Sequence, residues 1–243
     1  MEKKIYYALN TNGSEANLTI YGDITSWPWL ESDVSSYNLS QRLAALGDVS
    51  RINVFINSYG GEVGEGVAIY NELKRHKAKV VTYCDGFACS IASVIFMAGD
   101  ERIMNDASAL MVHNAWTSAA GNANELRKAA DDIEKLNQLS LTAYKTHFKG
   151  SDEELQALLD GETWLLPEEA VEYGFATAIE KNESDKASQN ARASLLGIIK
   201  GAAKQSEPTP EPTPVVEPIE DTTPEENNAV QMLECLFNAI NKN

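Results

Sequence analysis

The stretch GFACSIA, residues 86–92, places Ser90 at the junction between a strand-like run and a helix-like run. The strand-like run covers residues 79–83, and the apolar helix-like run covers residues 91–98. The first N–H groups of a helix lack internal acceptors and carry partial positive charge, so an oxyanion formed there during acyl transfer is well held. Ser90 is therefore predicted to be a nucleophile, although a serine in this position is more often an ordinary N-cap.

Strand-like and helix-like segments alternate on both sides of Ser90. Strands are predicted over residues 17–22, 52–56, 79–83, 101–104 and 109–112. Helices are predicted over residues 34–46, 63–73, 91–98 and 122–148, and a final helix–strand unit covers residues 167–179. This alternation predicts an α/β fold with right-handed crossovers and a largely parallel sheet that ends near residue 180.

Composition excludes several classes of function. The net charge is −16 and no basic cluster exceeds the run KRHK at 74–77, whereas a nucleic-acid partner requires a basic patch. The first residues lack the apolar run of a signal peptide, and no window has the length of a membrane span. The three cysteines are in no zinc-like grouping, so we expect free thiols, no metal, no cofactor and a cytoplasmic location.

The C-terminal quarter differs from the rest of the chain. After a short helical or flexible segment over 183–204, residues 205–228 contain seven acidic residues, six prolines and no Lys or Arg. This composition predicts a disordered, extended linker. Residues 229–243 have apolar positions at helical spacing and predict a short amphipathic helix, either a docking or self-association element or a frayed tail.

A serine nucleophile needs a base, and the chain has three histidines. His76 lies among basic residues and His147 in a polar segment, so both are expected at the surface. His113 follows the apolar run ALMV at 109–112, which places it at the end of a buried strand, where loops carry active sites. From position alone, a catalytic base and a satisfied structural histidine are equally good interpretations of His113.

The run NSYGG, residues 57–61, supplies a glycine pair between a strand and a helix. Glycines there allow positive φ and a close approach of backbone to substrate, although most such pairs are only turns. Gly61 and Ser90 stand at strand-to-helix junctions of consecutive units, so parallel pairing is expected to bring them side by side.

Four motifs in order, NSYGG (57–61), GFACSIA (86–92), MVH (111–113) and EEAVEYG (168–174), resemble the proteolytic subunit of Clp protease. The resemblance extends over about residues 18–179 and implies a protease domain over 1–182. It implies the spiral of β-β-α units shared with crotonase-like enzymes, with a projecting handle helix. It further implies that Ser90 is the nucleophile, His113 its base, and the N–H groups of Gly61 and Ile91 the oxyanion hole.

The resemblance leaves the third triad member open. Counted back from EEAVEYG, the position of the family's catalytic aspartate falls on Glu162, and a glutamate can orient a histidine with one extra methylene of reach. Asp160 is the competing residue, and in a third interpretation both acids lie at the surface beside a dyad. Cys89 replaces the family's usual alanine, either as a rival nucleophile or, as we favour, a buried filler. Tyr59 replaces the usual proline and should reshape the glycine loop.

The resemblance also implies partners. Residues 114–150 correspond to the handle that joins two rings, with an extended, pairing segment over 118–121, so a ring-shaped homo-oligomer acting on protein substrates is expected. Residues 69–76 and 161–164, the paired Trp27 and Trp29 and the acidic tail look like the Clp-protease-like enzymes of tailed phages and prophages, which cleave capsid or scaffold proteins.

Three alternatives stay open at the level of sequence. One is a housekeeping-type subunit that works with an ATPase unfoldase, and another is a catalytically impaired scaffold or assembly protein of the same fold. A crotonase-like acyl-CoA enzyme is the third, and the combination of Ser90 with His113 speaks against it.

Overall fold

The computed structural model describes residues 9–181, and the expected segments over 183–204, 205–228 and 229–243 lie outside the described residues. Within the described range the chain forms eight strands and six helices. The strands are β1 (Leu9–Asn12), β2 (Glu15–Ile20), β3 (Arg51–Ser58), β4 (Lys79–Cys89), β5 (Glu101–Asn105), β6 (Ala109–Val112), β7 (Thr163–Leu165) and β8 (Ala178–Glu180). The helices are α1 (Ser36–Ala45), α2 (Val63–Arg75), α3 (Ile91–Phe96), α4 (Ala123–Lys145), α5 (Asp152–Asp160) and α6 (Pro167–Tyr173).

The sheet has the order β1-β2-β3-β4-β5-β8, and the pairs from β2 to β8 along this path are parallel. β4 has two neighbours on one side, because its residues 81–84 pair with β5 whereas residues 87–89 pair with β6. β7 then adds to β6 in antiparallel orientation. The sheet therefore divides into two branches at β4. Ser90 directly follows the part of β4 that pairs with β6.

The helices cover the sheet and bury its apolar side chains. α2 packs against α1 and α3, and α3 packs against α4. All six residues of α3 are buried, because five of them are apolar and the helix lies between the sheet and its neighbours. Only the C-terminal part of the 23-residue helix α4 is buried, at Leu141, Ala143 and Tyr144, so its N-terminal part projects as expected. No helix within residues 9–181 is long and apolar enough to cross a bilayer.

The mixed, largely parallel α/β fold predicted from the sequence is confirmed. Three elements, β1, α5 and β7, were not predicted. α5 begins with a capping box in which Ser151 Oγ accepts from the N–H of Glu154, and the pattern S-x-x-E was visible in the sequence. β7 has three residues, too few for a periodic pattern. Residues 118–121, expected to form an extended pairing segment, pair with no strand inside the described range.

Candidate active site

Ser90 lies between the end of β4 and the start of α3 in a conformation that non-glycine residues rarely adopt. Its dihedral angles are φ 55° and ψ −130°. Such geometry costs about 1 to 3 kcal/mol and persists only where the surroundings impose it. Here the Ser90 N–H donates to the carbonyl of Met111 at 2.9 Å, and the Ser90 carbonyl accepts from the N–H of Ser93 at 3.0 Å. The backbone of Ser90 is therefore held from both ends.

The structure brings His113 to Ser90. Strand pairing sets Cys89 opposite Met111, so the residues that follow the two strands meet at the same edge of the sheet. Ser90 Oγ and His113 Nε2 are 2.7 Å apart and form a hydrogen bond. The hydroxyl donates in this bond when the ring proton is on Nδ1, which is the arrangement that a general base requires.

The glycine pair packs directly against the serine. Gly60 has φ 103°, and a Cβ there would lie 2.7 Å from Ser90 Cβ and 2.8 Å from the Cys89 carbonyl oxygen. Gly61 has φ 146°, and a Cβ there would lie 2.0 Å from the carbonyl oxygen of Ile24. Only glycine fits at these two positions. The sequence singled out Gly61 but missed the closer contact of Gly60, for which the paired glycines were the available signal.

Two backbone donors are left without acceptors beside Ser90. Ile24 binds the glycine loop on both sides of Gly61. The Ile24 N–H donates to Gly60 O at 2.9 Å, and the Ile24 carbonyl accepts from the N–H of Glu62 at 2.8 Å. Between these bonds, the Gly61 N–H has no acceptor within residues 9–181, and neither has the Ile91 N–H at the first position of α3. These are the two amides that the sequence proposed as an oxyanion hole.

Ile91 is anchored from behind by α2. It is 2% exposed, and a Cβ at Gly66 of α2 would lie 2.1 Å from Ile91 Cγ1. The missing side chain at Gly66 lets the two helices approach closely, whereas a Cβ at Gly64, one half-turn earlier, would meet nothing within 4 Å. Packing by α2 therefore fixes the residue that carries one of the two free amides.

Neither candidate acid contacts His113 in the described part of the chain. Glu162 is exposed with φ 47°, and its side chain makes no hydrogen bond there. The Asp160 carboxylate accepts from Asn114 Nδ2 at 2.7 Å and from Gln156 Nε2 at 2.7 Å. Asp160 thus holds the residue next to His113, not His113 itself. Glu162 lies in a short turn between Gly161 and β7, and this turn alone sets the direction of its carboxylate.

The cleft around Ser90 has a volume of about 790 Å³ and an apolar, aromatic wall. Met111, Ile133 and Leu136 line it together with two exposed tryptophans, Trp116 and Trp164. Sequence reasoning did not assign these residues to the cleft, because they come from three separate segments of the chain.

Tyr59, which takes the place of the family's usual proline, joins an aromatic row. Its ring lies 5.5 Å from that of Phe87, and Phe87 lies 5.7 Å from Trp164 in an edge-on contact. Tyr59 and Trp164 both line the cleft, so the row forms part of its wall.

Cys89, His76 and His147 are the groups that could rival Ser90 or His113, and burial shifts the pKa of each toward its neutral form. Burial raises the pKa of the Cys89 thiol to about 11, so Cys89 is a buried thiol without nucleophilic character at neutral pH. The surface position expected for His76 and His147 needs correction, because both are half-buried, and burial lowers the pKa of each. Neither histidine hydrogen-bonds to a serine in the described part of the chain. Residues 9–181 contain no cluster of His, Cys, Asp and Glu able to hold a metal ion.

Comparison with known proteins agrees with this geometry. The Clp protease family model matches residues 30–183, well over half of the chain. The chain belongs to the Clp protease family. This membership confirms the fold and the family resemblance that the sequence analysis gave.

Among the similar proteins are two that are named ATP-dependent Clp protease proteolytic subunit. The protein of Deinococcus radiodurans is 36% identical over 126 residues, which are 51% of this chain and 62% of that protein. The protein of Bacteroides fragilis is 33% identical over 148 residues, which are 59% of this chain and 72% of that protein. The similarity to the Deinococcus protein thus spans less than two thirds of its length.

Proposed function

We propose that this Clp-family chain is a serine endopeptidase with Ser90 as nucleophile and His113 as general base. The observation that carries the proposal is the 2.7 Å hydrogen bond between Ser90 Oγ and His113 Nε2. A nucleophile and a base within about 2.6 to 3.2 Å of each other are the geometric signature of nucleophilic catalysis. Ordinary N-cap serines bond a backbone N–H of the next turn, whereas the Ser90 side chain makes no such bond.

The reaction proceeds in two halves. Ser90 Oγ attacks the peptide carbonyl while His113 Nε2 takes the hydroxyl proton, and the oxyanion accepts from the N–H groups of Gly61 and Ile91. His113 then donates that proton to the leaving amine, which leaves an ester on Ser90. Water, deprotonated by His113, attacks the ester, releases the carboxylic acid and restores the serine hydroxyl.

Glu162 is proposed to orient His113 by accepting from its Nδ1–H. Two features support this role: its position in the sequence, and a turn whose φ of 47° few non-glycine residues adopt. The carboxylate has to swing toward the histidine for this contact. We propose that assembly of the ring, in which the neighbouring segment 114–150 joins two copies, brings about that rearrangement.

Labelling of the active serine tests the catalytic proposal. The full-length protein is treated with a fluorophosphonate probe, beside Ser90→Ala and the matched control Ser108→Ala, a buried serine outside the cleft. We expect labelling of the unchanged protein and of Ser108→Ala, and none of Ser90→Ala. Equal labelling of the Ser90→Ala protein would remove Ser90 as the nucleophile.

The substrates are proposed to be capsid or scaffold proteins of a phage or prophage, cleaved in the host cytoplasm by a ring of identical subunits. Segments 69–76 and 161–164, with Trp27 and Trp29, support this assignment by their resemblance to phage enzymes. The two tryptophans are 69% and 85% exposed, which suits a surface contact with a large assembly. The apolar cleft supports cleavage beside large apolar residues.

The names of the relatives support a second candidate, a proteolytic subunit that acts with an ATPase unfoldase. Co-expression distinguishes the two. The protein and its Ser90→Ala variant are each produced with the proteins encoded beside its gene, and new chain termini are mapped by mass spectrometry. Termini in capsid or scaffold proteins that depend on Ser90 support the phage role. Cleavage of folded proteins only with an added ATPase and ATP supports the second candidate, and uncut partners favour a scaffold.

A further inference from the structure

The peptide group that joins Ser90 to Ile91 has its N–H beside the glycine loop, where a Cβ at Gly60 would lie 3.2 Å from Ile91 N, and its carbonyl against Ser93 of α3. Its N–H belongs to Ile91 and is one of the two proposed oxyanion donors. Its carbonyl belongs to Ser90 and accepts two hydrogen bonds from Ser93, from the N–H at 3.0 Å and from Oγ at 2.6 Å. Because a peptide group is planar, the bonds that fix this carbonyl also fix the direction of the N–H.

A second buried hydroxyl extends this arrangement. The Tyr144 hydroxyl lies 2.7 Å from Ser93 Oγ. Each hydroxyl has one proton to donate, and that of Ser93 is used by the Ser90 carbonyl, so Tyr144 is the donor to Ser93. Burial raises the pKa of the Tyr144 hydroxyl, which keeps its proton in place. The hydrogen bonds therefore run from Tyr144 of α4 through Ser93 of α3 to the Ser90 carbonyl.

Packing alone does not require these two hydroxyls. Ser93 and Tyr144 are each 1% exposed, and the Tyr144 ring packs edge-on against Phe175 at 5.6 Å. Alanine and phenylalanine would fill nearly the same space and leave no polar group to be paired. Burying an unpaired hydroxyl costs free energy, so the pair is stable only because the two hydroxyls satisfy each other and the Ser90 carbonyl.

We propose that Ser93 and Tyr144 are positioning residues of the oxyanion hole, which act through the Ser90 carbonyl to orient and strengthen the Ile91 N–H. Hydrogen bonds in a chain polarise one another, so a carbonyl that accepts makes the N–H of the same peptide a better donor. The benefit is largest when charge develops on the substrate oxygen, which is in the transition state. The inference rests on the proposed serine-peptidase function, since it assigns two more residues to that site.

Steady-state hydrolysis of a fluorogenic peptide by Ser93→Ala and Tyr144→Phe tests the proposal. We expect kcat to fall about tenfold in Ser93→Ala and about threefold in Tyr144→Phe, short of the 10²- to 10³-fold loss typical of removing an oxyanion donor itself. KM is expected to change less than about twofold, since substrate binding does not depend on the developing charge.

A transition-state analogue separates positioning from general structure. A peptide aldehyde forms a tetrahedral adduct on a serine and depends on the oxyanion hole, so its affinity should fall by the same factor as kcat. Binding of the uncleaved peptide to the Ser90→Ala protein should be unaltered by adding Ser93→Ala. Thermal unfolding of every variant is measured in parallel, and Tyr144→Phe, which removes a single oxygen, serves if Ser93→Ala does not fold.

Ser108 provides a matched control. It is 5% exposed, and its Oγ donates to the carbonyl of the residue three positions earlier, Asn105, at 2.7 Å. Ser108→Ala thus removes the same kind of bond outside the site and should leave kcat and aldehyde affinity unchanged.

The possible failures are distinguishable. An active wild-type enzyme with unchanged kcat and aldehyde affinity in both variants would overturn the positioning role and leave the peptidase assignment standing. An equal loss of kcat in Ser108→Ala would also overturn it, because general destabilisation would then explain the effect. Absence of Ser90 labelling and of hydrolysis in the unchanged protein would overturn the proposed function itself.

Discussion

Ser90 and Glu162 are the two non-glycine residues with positive φ among the described residues, yet their surroundings differ. The backbone of Ser90 is fixed by bonds to Met111 and Ser93, and its side chain by His113. Glu162 is exposed, and within residues 9–181 only its backbone N–H is bonded, to Leu159 O at 3.2 Å. The proposed nucleophile is therefore preorganised by the core of one chain, whereas the proposed acid is held by a surface turn.

The largest effect is expected on the preorganised side, from His113→Ala. Loss of the base should lower kcat for peptide hydrolysis by about 10⁵- to 10⁶-fold, because Ser90 and His113 act as one unit. Stopped assays with a fluorogenic peptide measure this. His76→Ala is the matched control, since His76 does not line the cleft around Ser90, and it should keep full activity. A His113→Ala protein with more than a tenth of the normal kcat would contradict the assigned base.

Gly61→Ala is expected to have the next largest effect. A Cβ at this position would meet the Ile24 carbonyl at 2.0 Å, so the loop has to shift and the Gly61 N–H loses its direction. The expected loss of kcat is about 10²- to 10³-fold, as for the loss of an oxyanion donor.

Stability separates this loss from simple unfolding. The free energy of unfolding of Gly61→Ala should fall by about 1 to 3 kcal/mol, since alanine is strained at this φ. Gly47→Ala, where a Cβ meets nothing within 4 Å, is the control for an unstrained glycine. Full activity of Gly61→Ala would show that this amide takes no part in catalysis.

Substitution of the candidate acids is expected to lower kcat less, and it tests the difference between Ser90 and Glu162 most directly. Glu162→Gln is expected to lower kcat about 10- to 100-fold, less than the roughly 10⁴-fold known for a fully engaged triad acid, because Glu162 is not held in place by the core. Asp160→Asn, which keeps the shape next to Asn114, should change kcat less than twofold. The reverse order of the two effects would assign the triad to Asp160, and no effect of either would leave a dyad.

Cys89→Ala should have the smallest effect on activity. The pKa of this thiol is raised to about 11 by burial, so the neutral thiol predominates at every pH below that value and no thiolate competes with Ser90. We expect kcat within about twofold of normal and a loss of stability of about 1 kcal/mol for the small cavity. A pH profile of kcat that shifts in Cys89→Ala would contradict an inert thiol.

These residues also show what could be predicted from the sequence. Ser90, His113, Gly61 and Ile91 follow strands or begin helices, and strand pairing converts such positions into neighbours, so their approach was predictable. The placement of Glu162 relative to His113 was not predictable, because a turn between α5 and a three-residue strand carries no periodic signal. Ser93 and Tyr144 lie 51 residues apart, and only the packing of α3 on α4 reveals that their hydroxyls meet.

Gly64 and Gly66 of α2 differ in whether a side chain can be tolerated, and the glycine that borders the cleft is the more tolerant of the two. Gly64 borders the cleft but has open space around its missing Cβ, whereas Gly66 does not border it and leaves no room for a methyl group beside Ile91. A saturation library of α2 would therefore tolerate many residues at the cleft and almost none behind it. A substitution at position 66 is therefore expected to lower activity by displacing the Ile91 N–H, without altering the surface that meets a substrate.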